Sequence, residues 1–269
     1  MLSPSASEFY NAGLNTAEKL KMSGQVCRRA DELPPILQRY LAFCGITGDE
    51  CTREVQIEWK NAMLKFSPRR HWTHIRCIQT NVLPEPVRLV YMKTLLWNFI
   101  PFDAVDEYIK GTGIMLIKLL NLFTISKAAG PEMDKAELVT ILAETMLVPA
   151  YALQYYISWE VVDDLCIKGT ITHNHITASG LFHFDETGYP VCFETEDRYY
   201  TAKNGSYRQY KWKAYLKYSG KKHAQQFSAV WQMPGGDYEY FKGEIAKVSY
   251  VPFITYDTKK VGGIQSLPA

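Results

Sequence analysis

Short runs in which apolar and polar residues alternate dominate the chain from residue 53 to 122 and from 164 to 251. In the clearest run, one set of alternate positions is Tyr210, Trp212, Ala214, Leu216 and Tyr218, and the other is Lys211, Lys213, Tyr215 and Lys217. Successive side chains of a strand point to opposite faces, so this run predicts a half-buried strand. Similar runs occur at 55–60, 176–184 and 226–231, separated by glycine-containing turns. The pattern predicts roughly ten strands in a large, curved antiparallel sheet with an aromatic inner face.

Three segments have helical spacing instead, and we expect helices near 8–22, 34–44 and 134–148. Ser5 and Glu8 form a capping box for the first helix, and Gly45 is a stop signal for the second. We expect Asp134 to cap the third helix and Pro149 to end it. The chain is therefore expected to form one α+β domain over residues 1–269. Its parts are a helical extension (1–30), a core (31–251) and a C-terminal tail (252–269).

Composition narrows the function classes. The 269 residues carry a net charge of +2, which gives no global electrostatic case for a nucleic-acid partner. The basic, aromatic segment 198–222 does not change this, because its lysines and its tryptophan alternate onto opposite faces. Six cysteines without a CxxC pair suggest reduced, structural thiols. The chain shows neither a signal-peptide pattern nor an apolar run long enough to span a bilayer, so we expect a cytoplasmic protein.

No catalytic or cofactor motif stands out. The chain lacks GxSxG, a Walker loop and a GxGxxG after a strand, and no cofactor is expected. The sequence His173-Asn174-His175 is expected to form a hairpin turn, not a metal site.

The most distinctive candidate chemistry is Lys118, which interrupts a very apolar strand. A buried lysine needs a carboxylate partner, and Glu144 is our first candidate and Asp163 our second. Such a group would be a structural ion pair or part of a cavity site. Four tryptophans are expected to line a cavity: Trp97, Trp159, Trp212 and Trp231.

Several short segments of the sequence also resemble segments of a known protein family. They are Leu33-Pro34-Pro35, Arg39-Tyr40-Leu41, Gly113-x-Met115-x-x-Lys118-Leu119-Leu120, Ala143-Glu144, Pro149, Trp159, Asp163-Asp164, Phe182-x-Phe184-Asp185, Trp212, Tyr218, Trp231 and Gly243-Glu244-Ile245. Over about residues 33–251, the chain resembles a bacterial domain family of unknown function. That family is similar to the periplasmic lipoprotein carriers, which implies an open antiparallel half-barrel, covered by helices, around an apolar cavity. Many members have an N-terminal membrane segment, and many have arginine where this chain has Lys118.

Two main hypotheses follow. The first is non-catalytic binding of an apolar or amphipathic, lipid-like small molecule in the half-barrel, with peripheral membrane association as an accompanying property. The second is an enzyme in which Glu144 or Asp163 acts as general acid/base beside Lys118, because a carboxylate in an apolar cavity has a raised pKa suited to proton transfer. A third class, a scaffolding protein, predicts a filled core and a large exposed apolar patch.

Overall fold

The computed structural model describes residues 5–20, 27–48, 51–96, 99–120, 122–202, 205–218 and 225–252. The helices are α1 (Ala6–Leu20), α2 (Pro35–Cys44) and α3 (Pro131–Ala143), with 3₁₀ turns at Ala30–Glu32, Glu144–Met146 and Pro149–Leu153. The strands are β1 (Thr52–Leu64), β2 (Thr73–His74), β3 (Arg76–Val82), β4 (Val87–Leu96), β5 (Ile100–Ile109), β6 (Thr112–Leu119), β7 (Phe123–Ala128), β8 (Ile157–Asp163), β9 (Cys166–His173), β10 (Ile176–Phe184), β11 (Pro190–Thr195), β12 (Tyr199–Thr201), β13 (Tyr207–Gln209), β14 (Lys211–Lys217), β15 (Gln226–Met233) and β16 (Gly236–Pro252).

Fourteen of these strands form one antiparallel sheet that wraps around α3. Its order is β7-β6-β5-β4-β3-β1-β16-β15-β14-β11-β10-β9-β8, with β2 paired to β1. Helix α3 packs against β6 near one edge of the sheet and against β10 near the other. A flat sheet could not contact one helix at both places, so the sheet is curved. No described residues pair β7 with β8, and the barrel is therefore open between them. The predicted α+β half-barrel is confirmed.

The two sides of the curved sheet, β3–β7 and β8–β11, contact each other at one end of the half-barrel. The Tyr108 hydroxyl lies 2.9 Å from Nδ1 of His173, and Nε2 of His173 lies 3.0 Å from Glu85. The predicted turn at Asn174 is present, with φ of 48° at Asn174 and 64° at His175. Among the described residues, no group of three or more His, Cys, Asp and Glu side chains is placed to hold a metal ion.

Helix α1 packs on the outer face of the sheet, over β4 and β5. The predicted capping box is confirmed, because the Glu8 amide donates to Ser5 Oγ at 3.1 Å and the Ser5 amide donates to Glu8 Oε2 at 2.6 Å. Gly13 lies so close to Leu89 and Glu107 that a methyl group there would clash. Burial, with a smaller contribution from Asp106, raises the pKa of Glu107 to about 7.

The sequence mispredicted several details. The described chain contains sixteen strands instead of about ten. Helix α3 begins at Pro131 with Gly130 as its N-cap, and Asp134 instead accepts a hydrogen bond from the Gly113 amide at 2.7 Å. Helix α3 is buried on nearly every side from Ala136 onward because the sheet encloses it.

The cysteine prediction is wrong at two positions. Cys27 and Cys51 form a disulfide with their Cα atoms 5.8 Å apart. Cys44, Cys77, Cys166 and Cys192 are free.

Candidate ligand-binding site

A cavity of about 140 Å³ lies between the sheet and α3. The side chains that form most of its wall are apolar: Trp59, Leu64, Phe66, Val90, Met92, Phe102, Ala104, Met115, Ile117, Leu147, Trp212, Phe227 and Phe241. Phe66 is 40% exposed and its ring centroid lies 5.0 Å from that of Phe102. These two rings mark the mouth of the cavity.

The inner end of the cavity is polar and is organised by Arg88. Its Nε donates to Glu144 Oε1 at 2.6 Å, and its Nη1 donates to Asp106 Oδ2 at 2.7 Å and to Glu137 Oε2 at 3.0 Å. Asn81 Nδ2 donates to the other Glu144 oxygen at 2.7 Å and to the Tyr151 hydroxyl at 3.1 Å. Charge-assisted hydrogen bonds of this length are strong, and they fix the guanidinium in one orientation.

The same cluster shifts the pKa values of its members. Burial alone would lower the pKa of Arg88, but Glu144, Asp106 and Glu137 raise it well above its ordinary value. Burial and the neighbouring Asp106 raise the pKa of Glu137 to about 8. A raised pKa favours the neutral form of Glu137, in which its carboxyl can donate a hydrogen bond to the neighbouring Asp106. Asp106 Oδ1 and Glu137 Oε1 are both buried without a hydrogen-bond partner among the described residues.

Arg198 supplies a second guanidinium. Its Nη1 donates to Thr140 Oγ1 at 2.6 Å, and its Nη2 lies 3.9 Å from Glu137 Oε1. Its Cζ lies 4.6 Å from the centre of the Trp212 ring and 5.9 Å from that of Trp231. Stacking on aromatic rings stabilises a partly desolvated guanidinium.

The four tryptophans that were predicted to line the cavity lie in different parts of the protein. Trp212 is buried and lines the cavity, whereas Trp231 is buried beside it and contacts Arg198. Trp159 packs on Phe182 in the filled half of the barrel and donates to the Ala152 carbonyl, so it does not line the cavity. Trp97 lies outside the described residues.

The predicted polar group of Lys118, Glu144 and Asp163 is not formed. Glu144 is buried at the cavity, as expected. Lys118 is fully buried, but it lies in register with Asp103 on the opposite face of the sheet from Ile117, which lines the cavity. Asp163 is exposed at the end of β8, where it accepts a hydrogen bond from the Leu165 amide at 2.9 Å. The placement of Lys118 and Asp163 beside Glu144 is therefore wrong.

Sequence reasoning missed Arg88, Asp106, Glu137 and Arg198. A signal was available for two of them, because Arg88 and Asp106 interrupt apolar strands as Lys118 does. Arg88 and Asp106 lie on the same strand faces as the cavity-lining residues Val90 and Ala104, whereas Lys118 lies on the face opposite the cavity-lining Ile117. No signal marked Glu137, because only its position inside the barrel makes it unusual.

Glu137 gives a pH prediction. Its folded-state pKa of about 8 lies above the ordinary glutamate pKa of 4.5, so its stabilising contribution is complete below about pH 4.5 and is lost as pH rises through 8. Glu137→Gln retains the acceptor for Arg88 and cannot ionise. We expect this variant to gain at least about 1 kcal/mol of unfolding free energy over the native protein near pH 9 and little near pH 5. Thermal melts across this range measure the difference.

Glu132→Gln, on the first turn of the same helix, is the matched control and should follow the native pH profile. Parallel profiles for Glu137→Gln and the native protein would contradict a raised pKa at Glu137.

The model of a family of unknown function, DUF6920, matches residues 31–250. The chain belongs to this family. That match confirms the resemblance seen in the sequence, and the matched range begins after α1.

No curated protein matches this DUF6920 chain. One solved structure aligns with 86% of the chain and 98% of its own length, at 12% identity and a TM-score of 0.41. It is the crystal structure of a domain from Vibrio parahaemolyticus named as an outer membrane lipoprotein-sorting protein domain. Within the described residues, no helix of this chain is long and apolar enough to cross a membrane.

Proposed function

We propose that this protein binds the end of a small apolar or amphipathic, lipid-like molecule in the cavity between the sheet and α3. The observation that carries the proposal is a cavity with an apolar wall, an aromatic mouth at Phe66 and Phe102, and a polar inner end at Arg88. An amphipathic molecule, with an apolar part and a polar end, is complementary to a cavity with an apolar wall and a polar inner end. The Trp159, Lys118 and Asp163 positions have no part in it.

The volume limits how much of a ligand fits inside. A dry engineered cavity of roughly 150 Å³ in another protein holds one benzene molecule, so about six non-hydrogen atoms fit in the 140 Å³ present here. Burying about six methylene-sized groups contributes roughly 5 kcal/mol. A longer chain extends past Phe66 toward the mouth, where it gains further contacts.

The charge balance of the inner end favours a neutral polar group on the ligand. Arg88 and Arg198 supply two guanidinium groups, Asp106 and Glu144 supply two carboxylates paired with Arg88, and the pKa of the third carboxyl, that of Glu137, is raised, which favours its neutral form. A charged ligand group would add an uncompensated charge to a desolvated site, which is costly. We therefore propose an alcohol, amide or ester end over a carboxylate or an ammonium.

The test is a cavity-filling variant. Ala104 is 3% exposed and lies between Met92 and Ile117 on the cavity wall. Ala104→Phe places a ring where the ligand would lie, and we expect it to weaken binding of the neutral fluorescent probe N-phenyl-1-naphthylamine by roughly a hundredfold. Dodecanol should displace the probe from the native protein at lower concentration than dodecanoate or dodecylamine.

Ile78→Phe is the control, because Ile78 is exposed on the outer face of β3. It should bind the probe like the native protein. Circular dichroism and thermal melts confirm that both variants fold. Equal probe binding by Ala104→Phe and the native protein would refute binding in this cavity.

The disulfide bears on localisation. Disulfides persist in oxidising compartments and are rare in the cytosol. Because Cys27 and Cys51 are joined, we propose an oxidising compartment and not the cytoplasm for this protein.

A further inference from the structure

Three hairpins meet at the mouth end of the half-barrel. The strand registers place Leu64 opposite Thr73, Leu96 opposite Ile100, and Leu119 opposite Phe123, each at the end of its hairpin. The pairing of β3 with β4 and of β5 with β6 puts these three ends side by side. We call this set of hairpin ends the mouth edge.

The mouth edge concentrates exposed apolar side chains. Thirteen large hydrophobic residues are exposed in the described chain, and six of them lie on the β4–β5 and β6–β7 hairpins: Leu95, Phe99, Leu120, Leu122, Phe123 and Ile125. A seventh is Phe66, which lines the cavity mouth. Phe99 is 70% exposed and Phe123 is 63% exposed. Clustered apolar side chains at this level of exposure mark an interaction surface.

The mouth edge is also basic. Residues 59–131 contain ten Lys/Arg and four Asp/Glu, but Arg88 and Lys118 are buried and Lys110 lies at the opposite end beside Asn174. The four acids are not exposed there: Asp103, Asp106 and Glu107 are buried, and Glu85 lies at the opposite end beside His173. The basic side chains near the hairpin ends are Lys65, Arg69, Arg70, Arg76 and Lys93.

Apolar tips surrounded by cations are complementary to one kind of partner, an anionic lipid surface. Inserted apolar side chains gain burial in the acyl region, and each Lys or Arg near the surface is attracted to anionic headgroups. Trp72 adds an amphipathic ring at the same place, with the Lys65 Nζ 4.6 Å and the Lys242 Nζ 4.4 Å from its centre. Aromatic rings of this kind favour the headgroup level of a bilayer.

We infer that the mouth edge docks on an anionic bilayer, with Phe99, Leu122 and Phe123 inserted and Arg69 and Arg70 at the phosphates. This inference rests on the proposed function, because docking would bring the cavity mouth at Phe66 to the membrane. A lipid-like ligand then passes between bilayer and cavity without crossing water. The β15–β16 turn carries the exposed Asp237, so the docking surface is confined to the three hairpins.

Vesicle cosedimentation tests the inference. Native protein should bind vesicles of phosphatidylglycerol and phosphatidylcholine, bind weakly to phosphatidylcholine alone, and dissociate as salt is added. Phe99→Ser/Phe123→Ser should reduce partitioning roughly tenfold or more. Arg69→Ala/Arg70→Ala should reduce it roughly thirtyfold on anionic vesicles only.

Matched controls come from elsewhere on the surface. Val161→Ser/Val162→Ser removes two apolar side chains from β8 that are each more than half exposed, and Lys217→Ala/Lys247→Ala removes two exposed cations from β14 and β16. Both should bind vesicles like the native protein. Absent vesicle binding, or equal losses in test and control pairs, would overturn the inference.

Further measurements distinguish membrane docking from ligand binding in the cavity and from dimerisation. Ala104→Phe should lose the fluorescent probe yet still bind vesicles, whereas Phe99→Ser/Phe123→Ser should lose vesicles and retain the probe. A native dimer in analytical ultracentrifugation that Phe99→Ser/Phe123→Ser dissociates would assign the mouth edge to a second copy of the chain and overturn membrane docking.

Discussion

Replacing Arg88 with methionine is expected to destabilise the protein by about 3–5 kcal/mol. Arg88 is the cation shared by Asp106, Glu137 and Glu144, all of them buried. Methionine fills a similar volume but leaves Asp106 and Glu144 as uncompensated charges away from water. In thermal melts this corresponds to a decrease of roughly 10 °C for a chain of this size.

Arg76→Met is the control for this change, since Arg76 is exposed on the adjacent strand β3. It should move the melting temperature by no more than about 2 °C. A triple variant, Arg88→Met/Asp106→Leu/Glu144→Met, should recover much of the lost stability, because an apolar replacement of a whole buried ion cluster is often neutral or stabilising. A melting temperature for Arg88→Met equal to that of the native protein would show that the cluster contributes no stability.

The strand faces were predictable because alternation is a local property of the sequence. Trp212, Ala214 and Leu216 were assigned to the inner face, and all three are buried there. The same holds for Val55 and Ile57. The alternation within a single strand, however, does not show which face packs toward α3 and which packs toward α1. Both faces of β6 are covered, so the apolar run around Lys118 could not place its side chain.

The polar end of the cavity depends on contacts distant in sequence. Arg88 and Glu144 are 56 residues apart, and Thr140 and Arg198 are 58 residues apart. Nothing local links such residues, whereas the curvature of the sheet around α3 brings them together. The aromatic wall could therefore be anticipated in part at Trp212, but the ionic cluster required the tertiary structure.

The disulfide is a further consequence of tertiary packing that the sequence did not indicate. Cys27 and Cys51 are 24 residues apart, and α2 lies between them. The chain returns because the Ala30 amide donates to the Thr47 carbonyl at 3.1 Å and because Gly48, with φ of 83°, packs against Arg28. A side chain at position 48 would clash with the Arg28 carbonyl, so glycine permits the close approach that joins the cysteines.

Cys27→Ser/Cys51→Ser is expected to cost roughly 3 kcal/mol of unfolding free energy, the chain-entropy value for a loop of this length. Cys44→Ser/Cys192→Ser, which removes two free thiols, is the control and should cost far less. Reductant should lower the native melting temperature to that of the Cys27→Ser/Cys51→Ser variant and leave that variant unchanged. Alkylation of the unfolded, unreduced protein should label four cysteines, the four that are free in the structure. Labelling of all six in protein isolated without reductant would show that the disulfide does not form.

The disulfide also holds Cys51, the residue before β1, near Arg28. The Arg28 side chain donates to the Gln154 and Ile157 carbonyls. Hydrogen exchange in α2 should therefore quicken in the variant more than exchange in α3, which the sheet encloses.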